Sequence, residues 1–87
     1  MACRVADPEA LEILMGAIDH LVQVTDAEVA QAMRDIFACT HNVAEGAGAA
    51  SFAAAMQERT SLQGQTVWIT LCGGNVDSAV FAGVLRG

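Results

Sequence analysis

The spacing of apolar and polar residues predicts two helices in the first half of the chain. Asp7 and Pro8 mark the first helix start, since aspartate caps free backbone N–H groups and proline suits the first helical turn. Thr25 and Glu28 mark the second start, because Thr-x-x-Glu is the spacing of a capping box. Behind each start, apolar residues recur as they do on one face of a helix. They are Leu11, Leu14, Met15 and Ile18 in the first helix, and Val29, Ala32, Met33, Ile36 and Phe37 in the second.

The second half of the chain alternates glycine-containing turns with apolar segments. An alanine-rich helix is predicted from residue 49 to about residue 58, and a closing helix from residue 76 to residue 85. Glycine interrupts the apolar pattern in three places, and turns are predicted there, at residues 42–48, 61–65 and 73–75. Each of the two later helices would therefore follow a glycine-rich turn.

Two short runs of β-branched and bulky residues predict buried strands. One covers residues 21–24, and the other covers residues 66–71, where bulky groups stand on both faces as in a parallel sheet. Residues 3–5 would add a third strand if they are extended. Helices that alternate with buried strands predict an α/β fold, with a partial parallel sheet and covering helices. So few strands do not complete a sheet that is covered on both faces, which favours a fragment of a larger domain.

The composition is too apolar for a chain of this size. Hydrophobic residues make up 54% of the 87 residues, and charged residues make up 16%, against a usual charged fraction of about 25%. A chain this short buries only about 60–65% of its unfolded surface, so it should be less apolar than average. The chain therefore either hides surface against a partner or is a piece of a larger domain.

The charge balance excludes several classes of function. A formal net charge of −6 argues against nucleic acid as a partner, because phosphates are neutralised by clustered Lys and Arg. All four basic residues are arginines, so no lysine is available for a Schiff base, a phosphate loop or general base catalysis. No apolar run has the length of a membrane span, and the acidic amino terminus is unlike a signal peptide. The odd count of three cysteines, without a CxxC pair, indicates a reducing cytosol.

Two glycine-rich junctions are candidates for ligand binding. In the first, residues 71–75 join a predicted strand to a helix, and ligands of open α/β sheets bind beyond the carboxyl ends of strands. The alternative is a tight turn, since the spacing of a dinucleotide fingerprint is missing. In the second, Gly46 and Gly48 could form half of a phosphate loop. The alternative there is an ordinary helix start in which Glu45 favours the helix dipole.

Metal binding and serine catalysis have little support in the sequence. Cys39 and His41 could hold a metal ion together with Cys72 or His20, but single ligands this far apart are a weak signal. His41 is better explained as a residue at the carboxyl end of the second helix. The serines at positions 51 and 78 lack a neighbouring His–Asp pattern.

Four motifs in order resemble a known enzyme family. They are ACRVADPEAL at residues 2–11, VTDAEV at 24–29, NVAEGAGA at 42–49 and LCGGNVD at 71–77. Together they resemble the carboxyl-terminal part of threonine dehydratase-like enzymes, in the pyridoxal-phosphate-dependent fold-type-II (tryptophan synthase β-like) superfamily. The resemblance covers essentially the whole chain. It implies that residues 1–87 are an incomplete catalytic domain with no second domain, and that residues 84–87 are the usual carboxyl terminus of the family.

The resemblance also implies a set of cofactor-binding residues. Cys72 takes the position of the side chain that hydrogen-bonds the pyridine nitrogen of pyridoxal phosphate, where serine is commoner. A thiol or hydroxyl is a weak partner, which is compatible with β-elimination from a hydroxy amino acid. Gly73 and Gly74 would give room to the cofactor, Asn75 would anchor the loop, and Glu45 would lie near the pocket. Gly46 departs from the family, since many relatives have proline there.

The family's remaining machinery has no counterpart in this chain. The Schiff-base lysine, the asparagine that contacts the cofactor ring and the glycine-rich phosphate cup all belong to the preceding part of the family's domain. The chain alone is therefore expected to hold no catalytic residue, to be inactive and not to bind the cofactor. Its expected partners are the missing amino-terminal part of the domain and, in the parent enzyme, an amino-acid substrate and further copies in a homo-oligomer.

Several alternatives remain open at the level of the sequence. The parent would deaminate L-threonine or L-serine, but hydroxyaspartate, diaminopropionate, an ectoine-derived amino acid or a racemase activity would leave the same motifs. An alternative of a different class is a non-catalytic small α/β module that binds a partner chain through its apolar surface. The excess of apolar residues favours such a module, whereas the Gly-Gly-Asn motif argues against it.

Overall fold

Four α-helices make up the regular structure of residues 5–87, the part of the chain that the computed structural model describes. They are α1 (Pro8–Ala17), α2 (Asp26–Thr40), α3 (Gly46–Gln57) and α4 (Ser78–Arg86). Helix α2 packs against both α3 and α4. None of these helices is long and apolar enough to cross a bilayer.

Helix α1 begins where the sequence predicts, but its apolar face covers nothing in the described part of the chain. The Asp7 carboxylate accepts a hydrogen bond from the Glu9 backbone N–H at 3.3 Å, which caps the helix. Leu14 and Met15 are 51% and 63% exposed, and no residue of α1 is buried. Helix α1 therefore stands apart from the other three helices.

Helix α2 has the start that the sequence predicts, and it supplies half of the core. The Thr25 hydroxyl accepts from the Glu28 N–H at 3.1 Å, and the Glu28 carboxylate accepts from the Thr25 N–H at 2.9 Å. The helix ends at His41, which has a left-handed backbone with φ 59° and donates its N–H to the Phe37 carbonyl at 2.9 Å. This confirms both the capping box and the position of His41 at the end of the helix.

The core lies between α2, α3 and α4. Helix α3 contributes only small buried residues, Gly48, Ala49 and Ala53, and α4 contributes the buried Phe81 ring. The Phe37 and Phe81 rings meet edge to face with their centroids 5.4 Å apart, a geometry worth about 0.5–1.5 kcal/mol beyond the buried area. The buried hydrophobic residues are Val29, Ala32, Met33, Ile36, Ala44, Ala49, Ala53 and Phe81.

The predicted α/β fold with a parallel sheet is wrong for the described residues, which contain helices and no strand. The reason is the lack of a partner. A strand is held by backbone hydrogen bonds to a neighbouring strand, and local β-propensity does not supply that neighbour. No backbone hydrogen bond joins residues 21–24 to residues 66–71, or either segment to a third one within the described part. The third candidate strand depends on Cys3 and Arg4, which lie outside the described residues.

Two element boundaries also differ from the prediction. The loop predicted at residues 42–48 is shorter, because α3 already begins at Gly46. The closing helix begins at Ser78 rather than at Val76, whose N–H is taken by the Gly74 carbonyl at 3.0 Å. The turn around Gly64 is confirmed, and its φ of 78° explains the need for glycine there.

Candidate functional site

The loop of residues 72–75 lies against the amino-terminal end of α3, and this contact defines the candidate site. Glu45, which occupies the N-cap position of α3, donates its backbone N–H to the Gly73 carbonyl at 3.2 Å. The two glycine-rich junctions of the sequence are therefore parts of one structural feature. The structure brings Glu45 into direct contact with the loop, and a place for both in a cofactor pocket stays a prediction.

Gly73 and Gly74 are needed by the chain's own packing. Gly73 has a φ of 83°, and a Cβ there would lie 2.7 Å from Oε1 of the Glu45 carboxylate. A Cβ on Gly74 would lie 2.5 Å from the Val43 carbonyl oxygen. The loop thus rests directly on residues 43–45. Whether the two glycines also give room to a cofactor stays a prediction.

Gly48 and Ser51 of α3 contact the loop and support it, and the sequence did not predict either role. A Cβ on Gly48 would overlap the Cys72 carbonyl and would lie 2.6 Å from the Gly73 carbonyl oxygen. One turn further along α3, the Ser51 hydroxyl donates a hydrogen bond to the Thr70 carbonyl. The sequence pattern that could have indicated these roles is a glycine followed three residues later by a serine on one helix face. This pattern can be interpreted only when the loop that faces the helix is known.

The side chains that could contact a ligand are accessible. Cys72 is a free, exposed cysteine, and Asn75 is exposed as well. The Glu45 side chain is half-buried against the loop. The loop presents an exposed thiol on a backbone that α3 holds in place, which is compatible with the predicted contact to a cofactor ring. No lysine exists in the sequence to bind the cofactor's aldehyde.

The titratable groups with shifted pKa values lie away from this loop. Hydrogen bonds from His20 to Asp19 at 2.8 Å and to Glu58 at 2.9 Å raise the pKa of the imidazole. The Thr25 N–H, and then the Gln57 amide, lower the pKa of the Glu28 carboxyl. Among residues 5–87, no three His, Cys, Asp or Glu side chains gather where they could share a metal ion.

Comparison with known proteins places the chain in one family. Residues 1–73 match the family model described as "Pyridoxal-phosphate dependent enzyme". An L-threonine dehydratase catabolic TdcB of Staphylococcus aureus (strain N315) is 29% identical over 86 residues, which cover 95% of this chain and 25% of the relative. A putative threonine dehydratase of Sinorhizobium fredii is 27% identical over 82 residues, which cover 94% of this chain and 25% of the relative.

The match is short compared with the relatives themselves, because the chain spans about a quarter of their length. No solved structure matches the chain. The family model, however, matches more than half of the chain and includes Glu45, Gly48, Cys72 and Gly73. The chain therefore belongs to the pyridoxal-phosphate-dependent enzyme family.

Proposed function

We propose that this chain is the carboxyl-terminal part of the catalytic domain of a pyridoxal-phosphate-dependent ammonia-lyase, which deaminates L-threonine or L-serine to a 2-oxo acid. The contact between the loop of residues 72–75 and the Glu45 end of α3 carries the proposal, since it gathers the residues expected to form one wall of the cofactor site. The names of the relatives support the substrate class. When bound, pyridoxal phosphate supplies the electron sink for elimination from the amino acid.

Cys72 is the residue of this chain that we assign to the cofactor ring. Its exposed thiol is available to hydrogen-bond the pyridine nitrogen. An aspartate in this position would make the cofactor ring a stronger electron sink, whereas a thiol leaves it a weaker one. A weaker electron sink is compatible with β-elimination. Glu45, Gly48 and Ser51 act as positioning residues, because they hold the backbone on either side of Cys72. Asn75 lies at the far end of the same loop, and we assign it the role of anchoring the loop.

The remaining chemistry belongs to another part of the catalytic domain. The chain has no lysine, so the group that binds the cofactor covalently and moves the substrate's α-proton comes from outside these residues. The isolated chain is accordingly expected to be inactive. We place the parent enzyme in a reducing cytosol, where exposed cysteines such as Cys39 and Cys72 stay as thiols.

A chimera tests this assignment. Residues 1–87 would replace the matching quarter of the S. aureus relative, and deamination of L-threonine and L-serine would be followed as release of the 2-oxo acid. We expect an active chimera. Cys72→Ala should lower kcat at least about tenfold, which corresponds to a loss of about 1.4 kcal/mol of transition-state stabilisation. Cys72→Ser should keep most of the kcat of the unmodified chimera. Cys39→Ala is the matched control at an exposed cysteine on α2.

Two results would contradict the proposal. One is a folded chimera that binds the cofactor but releases no 2-oxo acid from either substrate. Racemisation would then be assayed, together with deamination of hydroxyaspartate, diaminopropionate and an ectoine-derived amino acid. The other is a Cys72→Ala chimera with an unchanged kcat and an unchanged cofactor absorption spectrum. That result would remove Cys72 from the cofactor site.

A further inference from the structure

A groove between α2 and α3 carries charges of opposite sign on its walls. It has a volume of about 190 Å³, and it is lined by Asp35 of α2 and by Arg59, which follows α3. Within the described part of the chain, neither side chain forms an ion pair. A carboxylate and a guanidinium therefore border the same open space, and both can pair with a charged ligand.

The Asp35 carboxylate is held in place by a chain of hydrogen bonds along α2. Nη2 of Arg34 donates to the Gln31 amide oxygen at 2.7 Å, and the Gln31 amide nitrogen donates to Oδ1 of Asp35 at 2.9 Å. Nη1 of Arg34 donates to the Val84 carbonyl of α4 at 3.0 Å, which anchors the chain. Among residues 5–87, no hydrogen bond uses Oδ2 of Asp35. One carboxylate oxygen is therefore oriented by the fold and left to accept from an ammonium group.

The Arg59 guanidinium keeps donors for an anionic group. Its Nη1 donates to the Met56 carbonyl at 2.8 Å, which leaves the remaining N–H groups of the planar fork for a carboxylate. The second carboxylate of the groove, that of Glu28, is already engaged, because it accepts from the Thr25 N–H and from the Gln57 amide. A ligand would therefore meet one available cation and one available carboxylate.

The rest of the lining offers a small apolar floor. Ala32 and Ala53 are buried, and the Met56 side chain is exposed beside them. Sites for drug-sized molecules measure about 300–1,000 Å³, so a groove of about 190 Å³ suits a smaller ligand. Ala53 lies about 200° around α3 from Ser51. The groove therefore opens on a different face of α3 from the one that supports the loop of residues 72–75.

We propose that this groove binds a small aliphatic amino acid, a molecule that carries an ammonium and a carboxylate on one short carbon chain. The ligand's carboxylate pairs with the Arg59 guanidinium, its ammonium pairs with Oδ2 of Asp35, and its aliphatic part covers Ala32 and Ala53. A ligand with a single charge would leave the opposite charge of the groove without a partner, which costs affinity. α-Amino and ω-amino acids share this chemistry, and the test separates them. The inference does not depend on the proposed function, since it involves another face of α3.

The Met56 methyl group makes binding directly measurable, because this side chain lines the groove. The chimera described above is prepared with methyl-labelled methionine, its Met56 signal is assigned with Met56→Leu, and ligands are titrated by NMR. L-Norvaline and 5-aminopentanoate carry both charges, whereas pentylamine and pentanoate carry one each. We expect a saturable shift of the Met56 signal with L-norvaline, with 5-aminopentanoate or with both, which identifies the position of the ammonium group. Pentylamine and pentanoate should bind at least about tenfold more weakly.

Matched variants test the two charges. Asp35→Asn and Arg59→Gln should each weaken binding at least about tenfold, because each removes one charge-assisted hydrogen bond to the ligand. Asp26→Asn and Arg86→Gln make the same changes at exposed residues outside the groove and should leave the affinity unchanged. The methyl signal of the buried Met33 should stay in place in all four variants, which shows that the core is intact.

Three results would overturn the inference. One is a folded chimera whose Met56 signal shows no saturable shift with either amino acid up to about ten times a Kd of 1 mM. Another is equally tight binding of pentylamine or pentanoate, since the groove would then recognise a single charge. The third is an unchanged affinity in both Asp35→Asn and Arg59→Gln. Release of the 2-oxo acid is a separate measurement, so this inference and the proposed function can fail independently.

Discussion

Gly48 and Gly83 are both helical glycines, yet their surroundings give them opposite roles. Gly48 is buried beneath the loop, and a Cβ there would meet the carbonyl oxygens of Cys72 and Gly73. A Cβ on Gly83 would meet no atom of the described residues within 4 Å. The close approach of α3 to the loop therefore depends on the missing Cβ atom of Gly48. This approach fixes the backbone at Cys72, the residue that we assign to the cofactor ring.

Substituting these two glycines should shift stability in opposite directions. Gly48→Ala should lower the free energy of unfolding by about 1–3 kcal/mol, because the loop must move away from α3. Gly83→Ala should raise it by about 0.5–1 kcal/mol, since alanine is the better helix former. Denaturant unfolding of the chimera checks both values. A Gly48→Ala variant as stable as its parent would contradict the close packing of loop and helix.

At the scale of elements, α1 and α2 have similar starts but unequal importance. Both begin with a side-chain cap, at Asp7 and at Thr25. Helix α2 then packs against α3 and α4, whereas α1 packs against none of the other helices among residues 5–87. The hydrogen bond between His20 and Glu58 at 2.9 Å ties the segment after α1 to the end of α3. Local signals thus form both helices, and only contacts with the rest of the chain give one of them a place in the core.

Removing each cap tests this difference. Thr25→Ala should lower the free energy of unfolding by about 1 kcal/mol, because the Glu28 N–H loses its partner at the start of a packed helix. Asp7→Ala is the matched control on α1. It should reduce helical circular dichroism slightly and leave the unfolding midpoint of the core unchanged. Equal shifts of the midpoint in both variants would contradict the separation of α1 from the core.

The link at His20 should respond to pH. The folded-state pKa of His20 is raised by hydrogen bonds to Asp19 and Glu58, so the protonated form stabilises the folded state. This contribution is fully present below the unfolded-state pKa of about 6.5 and is lost as the pH rises through the folded-state pKa. In an NMR titration, the signals of Glu58 and of the end of α3 should shift as His20 changes its protonation state. His20→Gln should abolish this shift. An unchanged titration of His20 after Glu58→Gln would contradict the link.

At the scale of the whole molecule, the small core explains the unusual composition. Half of the buried hydrophobic residues that the structure describes are alanines, and the larger ones are Val29, Met33 and Ile36 of α2 and Phe81 of α4. Large apolar groups such as Leu21, Trp68 and Leu71 stay 76%, 92% and 48% exposed. Exposed apolar surface of this extent marks an interaction face. Much of the large apolar surface behind the 54% hydrophobic composition is therefore open in this structure.

The isolated chain should behave accordingly. We expect residues 1–87 alone to bind the dye ANS, to unfold with weak cooperativity and to form assemblies without a discrete size, because so much apolar surface is open. Light scattering, dye fluorescence and thermal unfolding measure these properties. The chimera is the control, since we expect the same surface to be covered there. A monomer with a sharp two-state transition and no dye binding would contradict this expectation.

The sequence by itself determined the features that depend on neighbours a few positions away. The caps at Asp7 and Thr25, the position of His41 at the end of α2 and the turn at Gly64 involve hydrogen bonds or backbone angles within one helical turn. The family motifs also indicated that Glu45 and the loop of residues 72–75 belong together. Such local interactions are present in any surroundings, which is why the pattern of residues predicts them.

Only the tertiary structure decided whether the β-prone segments form strands and which residues hold the loop. Residues 66–71 have the side chains of a strand, but a strand needs backbone partners, and the described chain does not provide them. The roles of Gly48 and Ser51 likewise depend on the facing loop, about twenty residues further along the chain. Sequence predicts a partner's chemistry, whereas the presence and distance of that partner are properties of the folded molecule.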